Sequence, residues 1–363
     1  MAKFLVHGGY YSRNYGDFIL IDKTIKAIRL ASPDACIGLA MAPKIVRDEF
    51  DDLDDITFLS ILKVDKVIFT GGGYLGERDY KVFLWSLLCL YRQIFLPLIC
   101  IFLGKPYSYF GIEVGPLRYK FLRKIVGFIL DRAEKVIVRN KFSLDFCSLI
   151  MKKKNKVILG TDFAQNKKFL ERYKSDVSVG CDLKSTTMKK KIGIHVTSYL
   201  PIYKTVNDSL CDYFAGLASI GYDLIFFTDS PAHDNLVNDN SFLFKDLYNH
   251  STSEFIPYQG PQNTTCLLME LDGIVTSKLH VGIIGLTFGA VPLSLPSHNK
   301  TPRYYDQVNL PELCLYKKDI KSQRYAIDRF DYHLKLGKKI NLPCVNIARE
   351  KQLHDLLIDF VTC

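Results

Sequence analysis

Short apolar runs recur along the chain, each closed by glycine or a polar turn and followed by a longer stretch with helical spacing. Lys3 to His7, Cys36 to Met41, Val67 to Thr70, Tyr107 to Gly111, Val136 to Val138 and Val157 to Leu159 have the length and composition of buried strands. Strands alternating with helical patterns predict an α/β domain with a parallel sheet. From Asn166 to Lys191 the sequence turns polar and lysine-rich with little periodicity, which predicts a linker. Ile192 to Val196, Leu224 to Thr228, Ile274 to Thr276 and Val291 to Leu295 then restart the alternation. The expected organisation is an N-terminal Rossmann-like domain over 1–165, a linker over 166–191 and a C-terminal Rossmann-like domain over 192–344. Residues 345–363 carry an amphipathic helical pattern that could pack back onto the first domain.

One run is long enough to raise the question of a membrane. Residues 82–103 are apolar apart from Ser86, Arg92 and Gln93. In a spanning helix Arg92 and Gln93 would lie near the bilayer centre and Pro97 would kink it, and a strand-like Tyr107-Ser-Tyr-Phe-Gly111 follows a Gly-Lys-Pro turn. A buried, sheet-packing helix is expected, with a helix resting in the membrane interface as the alternative.

Composition sets the outer limits. A chain of 363 residues with 48% hydrophobic content can bury a large core, which excludes disorder as the main state and fits two domains. Its 10 cysteines are scattered singly without a Cys-x-x-Cys pair, so neither a zinc site nor a disulfide framework is expected. The amino terminus lacks the pattern of a secretory signal, and a cytoplasmic location is expected. The net charge of +10 includes runs at Lys152 to Lys154 and Lys189 to Lys191. Such runs suit solvated faces, and also contact with anionic lipid or a pyrophosphate-linked substrate. Basic and aromatic residues do not interleave as in a nucleic-acid module, so no nucleic-acid partner is expected.

The sharpest chemical signal lies between Gly273 and Leu295, where a buried strand, a polar turn, a small-residue helix and another strand follow without a break. This puts Ser277, Lys278 and His280 where a strand end meets a helix N-terminus. Free N–H groups and the positive end of the helix dipole gather there, and an ammonium and an imidazole add charge and a transferable proton. The expected ligand carries phosphate or carboxylate. Other polar points also close predicted strands, the side of a parallel sheet on which ligands bind. They are the loop Gly8 to Asp17 with Arg13, Asn14 and Gly16; the glycine triplet Gly71 to Gly73 before Tyr74; Gly111 to Pro116 with Glu113; and Arg139-Asn140 before Ser143. A triplet without side chains suggests close approach of a ligand or domain. An arginine at a strand end suits carboxylate or phosphate, or an ion pair. His7 reads equally as a ligand contact or a packed strand-end residue, and His195 and Asp229 close strands of the second domain.

In order and rough spacing these stretches resemble the polysaccharide pyruvyl transferase family over most of the chain. The family's Asn-x-Gly-Asp corresponds to Asn14-Tyr-Gly16-Asp17, its glycine triplet to Gly71 to Gly73, and its Gly-x-x-x-Gly-Pro to Gly111 to Pro116. Its Arg-Asp with a serine three residues on is similar to Arg139-Asn140 and Ser143, its Asp-x-Ala to Asp162-Phe-Ala164, and its Arg-Leu-His to Lys278-Leu279-His280. Lys278 and Asn140 depart from that pattern. Lysine keeps the charge but loses the two-pronged donor geometry, and Asn140 can neither act as a base nor pair with a cation.

The resemblance implies an α/β, GT-B-like fold, two Rossmann-type domains with parallel sheets facing a central cleft. It implies transfer of pyruvate from phosphoenolpyruvate to two hydroxyls of a sugar as a cyclic ketal, in bacterial exopolysaccharide or capsule biosynthesis. The implied roles are His280 as general acid and Asp17 as base, with Glu113 as its rival. Lys278, Ser277, Arg139 and Asn140 would hold the donor, and Asn14, Gly16, Gly72, Gly73 and Tyr74 the acceptor. Phosphoenolpyruvate is then a co-substrate, with no cofactor expected, and no metal because no carboxylate or histidine cluster has ligand spacing. The partner is a saccharide, plausibly polyprenyl-pyrophosphate-linked, which would bring the chain into peripheral contact with the inner face of the plasma membrane. Two alternatives stand beside this reading: a nucleotide-sugar-dependent GT-B glycosyltransferase, and a non-catalytic glycan-binding member of a polysaccharide assembly complex.

Overall fold

The computed structural model describes the chain apart from residues 11–13, 51–52, 55, 57, 78–80, 177–188, 198–203, 239–241, 243, 251–253, 297, 316–319 and 338. Arg13 and the middle of the polar segment therefore lie outside the described residues. The chain divides into two compact units, Met1–Gln165 with Cys344–Cys363, and Asn166–Pro343.

Unit 1 contains strands β1 (Lys3–His7), β2 (Cys36–Leu39), β3 (Lys66–Phe69), β4 (Gly72–Leu75), β5 (Tyr107–Val114), β6 (Val136–Val138) and β7 (Val157–Leu159). Its helices are α1 (Tyr15–Ala31), α2 (Lys44–Arg47), α3 (Val82–Cys89), α4 (Phe95–Phe102), α5 (Lys120–Arg132) and α6 (Lys141–Ile150). Unit 2 holds β8 (Lys191–His195), β9 (Asp223–Phe227), β10 (Glu254–Ile256), β11 (Gly273–Thr276) and β12 (Val291–Ser294). With them run α7 (Lys167–Asp176), α8 (Lys204–Ser219), α9 (Pro231–Asn238), α10 (Lys245–His250), α11 (Pro261–Met269), α12 (Leu279–Phe288), α13 (Lys300–Gln307) and α14 (Ile320–Leu336). The last helix, α15 (Cys344–Thr362), belongs to unit 1 and packs along α1.

Both sheets are parallel. Unit 1 orders its strands β2-β1-β3-β5-β6-β7, with the short β4 beside β5; unit 2 orders them β10-β9-β8-β11-β12. Strand order reverses between β1 and β3 in the first sheet and between β8 and β11 in the second. Helices leave a parallel sheet on opposite faces at such a reversal, and the crevice above the strand ends there is the place for a ligand. All eight residues of β5 are buried, as a central strand covered on both faces requires.

Three sequence expectations are corrected. The polar segment read as a linker carries α7, because Phe169, Leu170 and Tyr173 fall on one helical face and are buried in unit 2. Strand β10 was not expected; it has three residues and none is fully buried. The glycine triplet is not an open loop. Gly72 and Gly73 form β4, and a Cβ on Gly71 would lie 3.2 Å from the Gly111 carbonyl oxygen and one on Gly76 only 2.5 Å from that of Gly115. Much of this glycine-rich stretch is explained by the close approach of β5's backbone.

The apolar run is helical from Val82 to Phe102, with a π turn at Leu90–Ile94 joining α3 to α4. One face enters the core through Cys89, Ile94, Leu96 and Cys100, packing with Leu122, Val126 and Ile129 of α5. Gln93 is buried and its Oε1 meets His7 Nε2 at 2.9 Å, so the polar group that disfavours a span ties the helix to β1. The helix thus lies on the sheet.

Candidate functional site

Unit 2 gathers its polar groups at the strand reversal. Gly282 and Gly285 let α12 settle closely: a Cβ at 282 would lie 2.7 Å from the Tyr305 hydroxyl, and one at 285 would collide with Ile274 of β11. The helix N-terminus is thereby held at the carboxyl end of β11. Lys278 is its N-cap in extended backbone, and the Lys278 N–H donates to Thr276 Oγ1 at 2.9 Å. The Ser277 hydroxyl bonds Thr197 Oγ1 at 3.0 Å, joining the segments that follow β11 and β8 across the reversal. His280 is half-buried in the first turn of α12.

Asp229, just after β9, organises the charges. Its Oδ1 lies 3.1 Å from His195 Nε2, 3.0 Å from His233 Nδ1 and 3.9 Å from Lys278 Nζ. Burial alone would raise the carboxyl pKa, but His195, His233 and Lys278 outweigh it and hold Asp229 well below the usual carboxylate range. Burial drives His195 the other way, below its ordinary value, with Asp229 opposing. The Lys278 side chain keeps 28% of its surface exposed, and its ammonium has the Asp229 carboxylate as an anionic neighbour. Together with the helix N-terminus this is a cationic end suited to a phosphate or carboxylate.

The ligand atoms of His195, Asp229 and His233 lie within 4.8 Å of one another, spacing that could hold a divalent cation. The expectation that no histidine and carboxylate cluster exists is corrected, since folding collects residues from two strand ends and one helix. Lys278 already offers positive charge beside the shared oxygen, which disfavours a second cation there.

Unit 1 has its own cluster at the β1/β3 reversal. Asn14 is the N-cap of α1, Gly16 is buried in the first turn, and Asp17 stands half-buried beside it. A Cβ on Gly9 would lie 2.8 Å from Asp17 Oδ1, so the glycine makes room for the carboxylate. Tyr74 donates from its hydroxyl to the Thr70 carbonyl at 2.6 Å; burial first, and the Asp17 charge second, keep its phenol protonated. A Cβ on Gly72 would lie 3.0 Å from the Tyr74 ring, and Gly73 is exposed beside it. His7 is not a free strand-end ligand. Its ring meets Gln93 at Nε2 and the Tyr10 hydroxyl at Nδ1, 2.9 Å each, and burial lowers its pKa.

Three assigned residues turn out to be structural. Arg139 is buried and gives Nε to Glu113 Oε2 at 3.1 Å and Nη1 to Asp162 Oδ2 at 3.1 Å, with a further bond from Nη2 to Glu113. Burial would lower the guanidinium pKa, but the two carboxylates raise it. Its donor fork is therefore occupied, and Arg139 is corrected from a donor ligand to a core ion pair. Glu113 is corrected with it, because the carboxylate proposed as a rival base neutralises that arginine. Asn140 caps α6 by accepting from the Ser143 N–H at 2.9 Å, while Ser143 Oγ accepts from the Val114 N–H at 2.9 Å. The Arg-Asn-Ser pattern thus ties β5, β6 and α6 together.

Sequence reading missed His233 and Thr197. The first had a signal: His233 stands four residues after Asp229, the spacing that brings two side chains onto one helical face. Thr197 carried none beyond following a strand.

Two Rossmann-type units, each with polar groups collected at its strand reversal, and one of them with a lysine at a helix N-terminus, define a GT-B-like protein. The chain belongs to the polysaccharide pyruvyl transferase family, whose sequence model matches residues 14–299. It is 23% identical over 237 residues to the amylovoran biosynthesis protein AmsJ of Erwinia amylovora, a match covering 60% of this chain and 55% of that protein. The chain thus spans little more than half the length of this curated relative. Among solved structures, UDP-GlcNAc 2-epimerase from Neisseria meningitidis bound to UDP-GlcNAc is similar with a TM-score of 0.64 at 12% identity, over 99% of this chain and 100% of the other. The S. aureus MnaA–UDP structure gives 0.61 at 13% identity, over 100% and 98%. At such identity the likeness is one of fold.

Proposed function

We propose that this transferase moves pyruvate from phosphoenolpyruvate onto two hydroxyls of a saccharide in surface polysaccharide biosynthesis, giving a cyclic ketal and inorganic phosphate. The observation that carries the donor assignment is the half-buried Lys278 side chain at the α12 N-terminus, with its ammonium beside Asp229. In this reading Lys278, Ser277 and the α12 N–H groups hold the phosphate. His280 gives a proton to the methylene carbon of phosphoenolpyruvate, leaving the adjacent carbon electron-poor. A sugar hydroxyl attacks that carbon and loses its proton to Asp17. The carbon–oxygen bond to phosphate then breaks, and the second hydroxyl closes the ring as its own proton departs. Each turnover consumes one donor and two hydroxyl protons, and the methylene becomes a methyl.

Asn14, Gly16, Gly72, Gly73 and Tyr74 are proposed to position the sugar, with the Asp17 charge felt at the Tyr74 phenol. A lipid-linked saccharide at the cytoplasmic face of the membrane is the acceptor class proposed. His280→Gln is expected to lower kcat by about 10²–10⁴ with little change in the KM for phosphoenolpyruvate. Steady-state kinetics check this, and an unchanged kcat removes His280 as the acid.

A further inference from the structure

The outward face of the helix from Val82 to Phe102 has no protein covering among the described residues. Leu84, Leu87, Leu88, Tyr91, Phe95, Leu98 and Phe102 recur at helical spacing, and all are exposed, Phe102 at 86%. Leu84 to Phe102 spans about 27 Å at the α-helical rise. The turn Phe58–Lys63 extends this face: the Phe58 and Phe95 rings are 5.8 Å apart, and Leu59 and Leu62 of that turn are exposed. On its other side α5 packs against α4 and turns Phe121, Lys124, Phe128 and Arg132 outward, with the Arg132 guanidinium 3.6 Å over the Phe128 ring. An apolar face of this extent marks an interaction site.

Charge selects the occupant. Between Val82 and Leu130 the chain has six basic residues and one acidic residue, Glu113, which is buried against Arg139. Four of the six, Arg118, Lys120, Arg123 and Lys124, are exposed at the start of α5 beside the apolar face, Arg118 being paired with Glu77 and the other three leaving a net positive charge. We infer that this face docks on an anionic lipid bilayer, the α3–α4 stripe entering the headgroup and acyl boundary while α5 meets the negative surface. An apolar stripe flanked by Lys and Arg, lying flat against its own protein, has the character of an interfacial helix. A two-fold contact with a second copy would instead bring the same basic clusters towards one another. The inference extends the lipid-linked acceptor reading to the surface that would deliver it.

The test is flotation of the full chain with phosphatidylcholine vesicles with and without one-third phosphatidylglycerol, read without either substrate. That keeps its failure separate from failure of the pyruvyl reading. The chain is expected to float with anionic vesicles, and raised salt to weaken this. Leu87→Gln, Leu98→Gln and Phe102→Gln together, all at exposed positions, are expected to lower binding more than about tenfold. Lys120→Glu with Lys124→Glu should do the same. Thermal melts and sizing accompany each variant, and the melting temperature and oligomeric state are expected to hold. Failure of the parent to float, equal flotation of the variants, or a triple variant that only dissolves a dimer would overturn the inference.

Discussion

Among the residues, charge pairing separates the working groups from the structural ones. Arg139 and Lys278 both follow strand ends, yet one is enclosed by two carboxylates and the other is half-buried beside one. Arg139→Ala would remove the guanidinium that Glu113 and Asp162 share in the core. It is expected to destabilise the protein by about 3–5 kcal/mol, measured by urea unfolding, whereas a residue serving only to grip substrate would leave stability near that of the parent. Nothing in the linear order distinguishes these two cations, because the carboxylates that claim Arg139 come from β5 and from beyond β7. Glu113 and Asp162 lie 26 and 23 residues away along the chain. The place of Lys278 and His280 at a helix N-terminus was legible because strand, turn and helix are contiguous there. His233 and His195 come together, sharing Asp229 and meeting ring edge to face, only after folding.

Single elements show where hydrophobic pattern suffices. Ten of the twelve strands among the described residues lie within a residue or three of their expected ends, since buried parallel strands read as unbroken apolar runs. The exceptions are β4, whose glycines carry no apolar signal, and β10, which is only half-buried. Helix α15 is tied to α1 by a buried ion pair, beside its apolar packing and other polar contacts in unit 1. Lys23 of α1 meets Glu350 of α15 and donates to the Phe163 carbonyl, its ammonium 3.8 Å from the Phe163 ring. Lys23→Met alone strands Glu350 and should cost about 3–5 kcal/mol, while adding Glu350→Leu should restore most of it. Burial lowers the Lys23 pKa from 10.5 to about 8, with Glu350 opposing. The unfolded chain therefore binds the extra proton between these values, and this residue's contribution to stability rises with pH across that window. Urea midpoints taken from pH 8 to 10.5 should show the rise in the parent and lack it in the double variant.

For the whole molecule, the fold class follows from alternation alone, because repeated strand and helix units with apolar strands have few other solutions. Function rests on less, a set of short motifs whose residues divide between tying elements together within a unit and presenting charge. The central claim is that the presented charge serves phosphoenolpyruvate. The measurement that tests it most directly is phosphate release from phosphoenolpyruvate with a panel of free and lipid-linked saccharides, with mass detection of the sugar. The account predicts phosphate formed one for one with a saccharide carrying a pyruvylidene group, and loss of both with His280→Gln. Consumption of a nucleotide sugar by the folded protein, with phosphoenolpyruvate untouched across the panel, would contradict it.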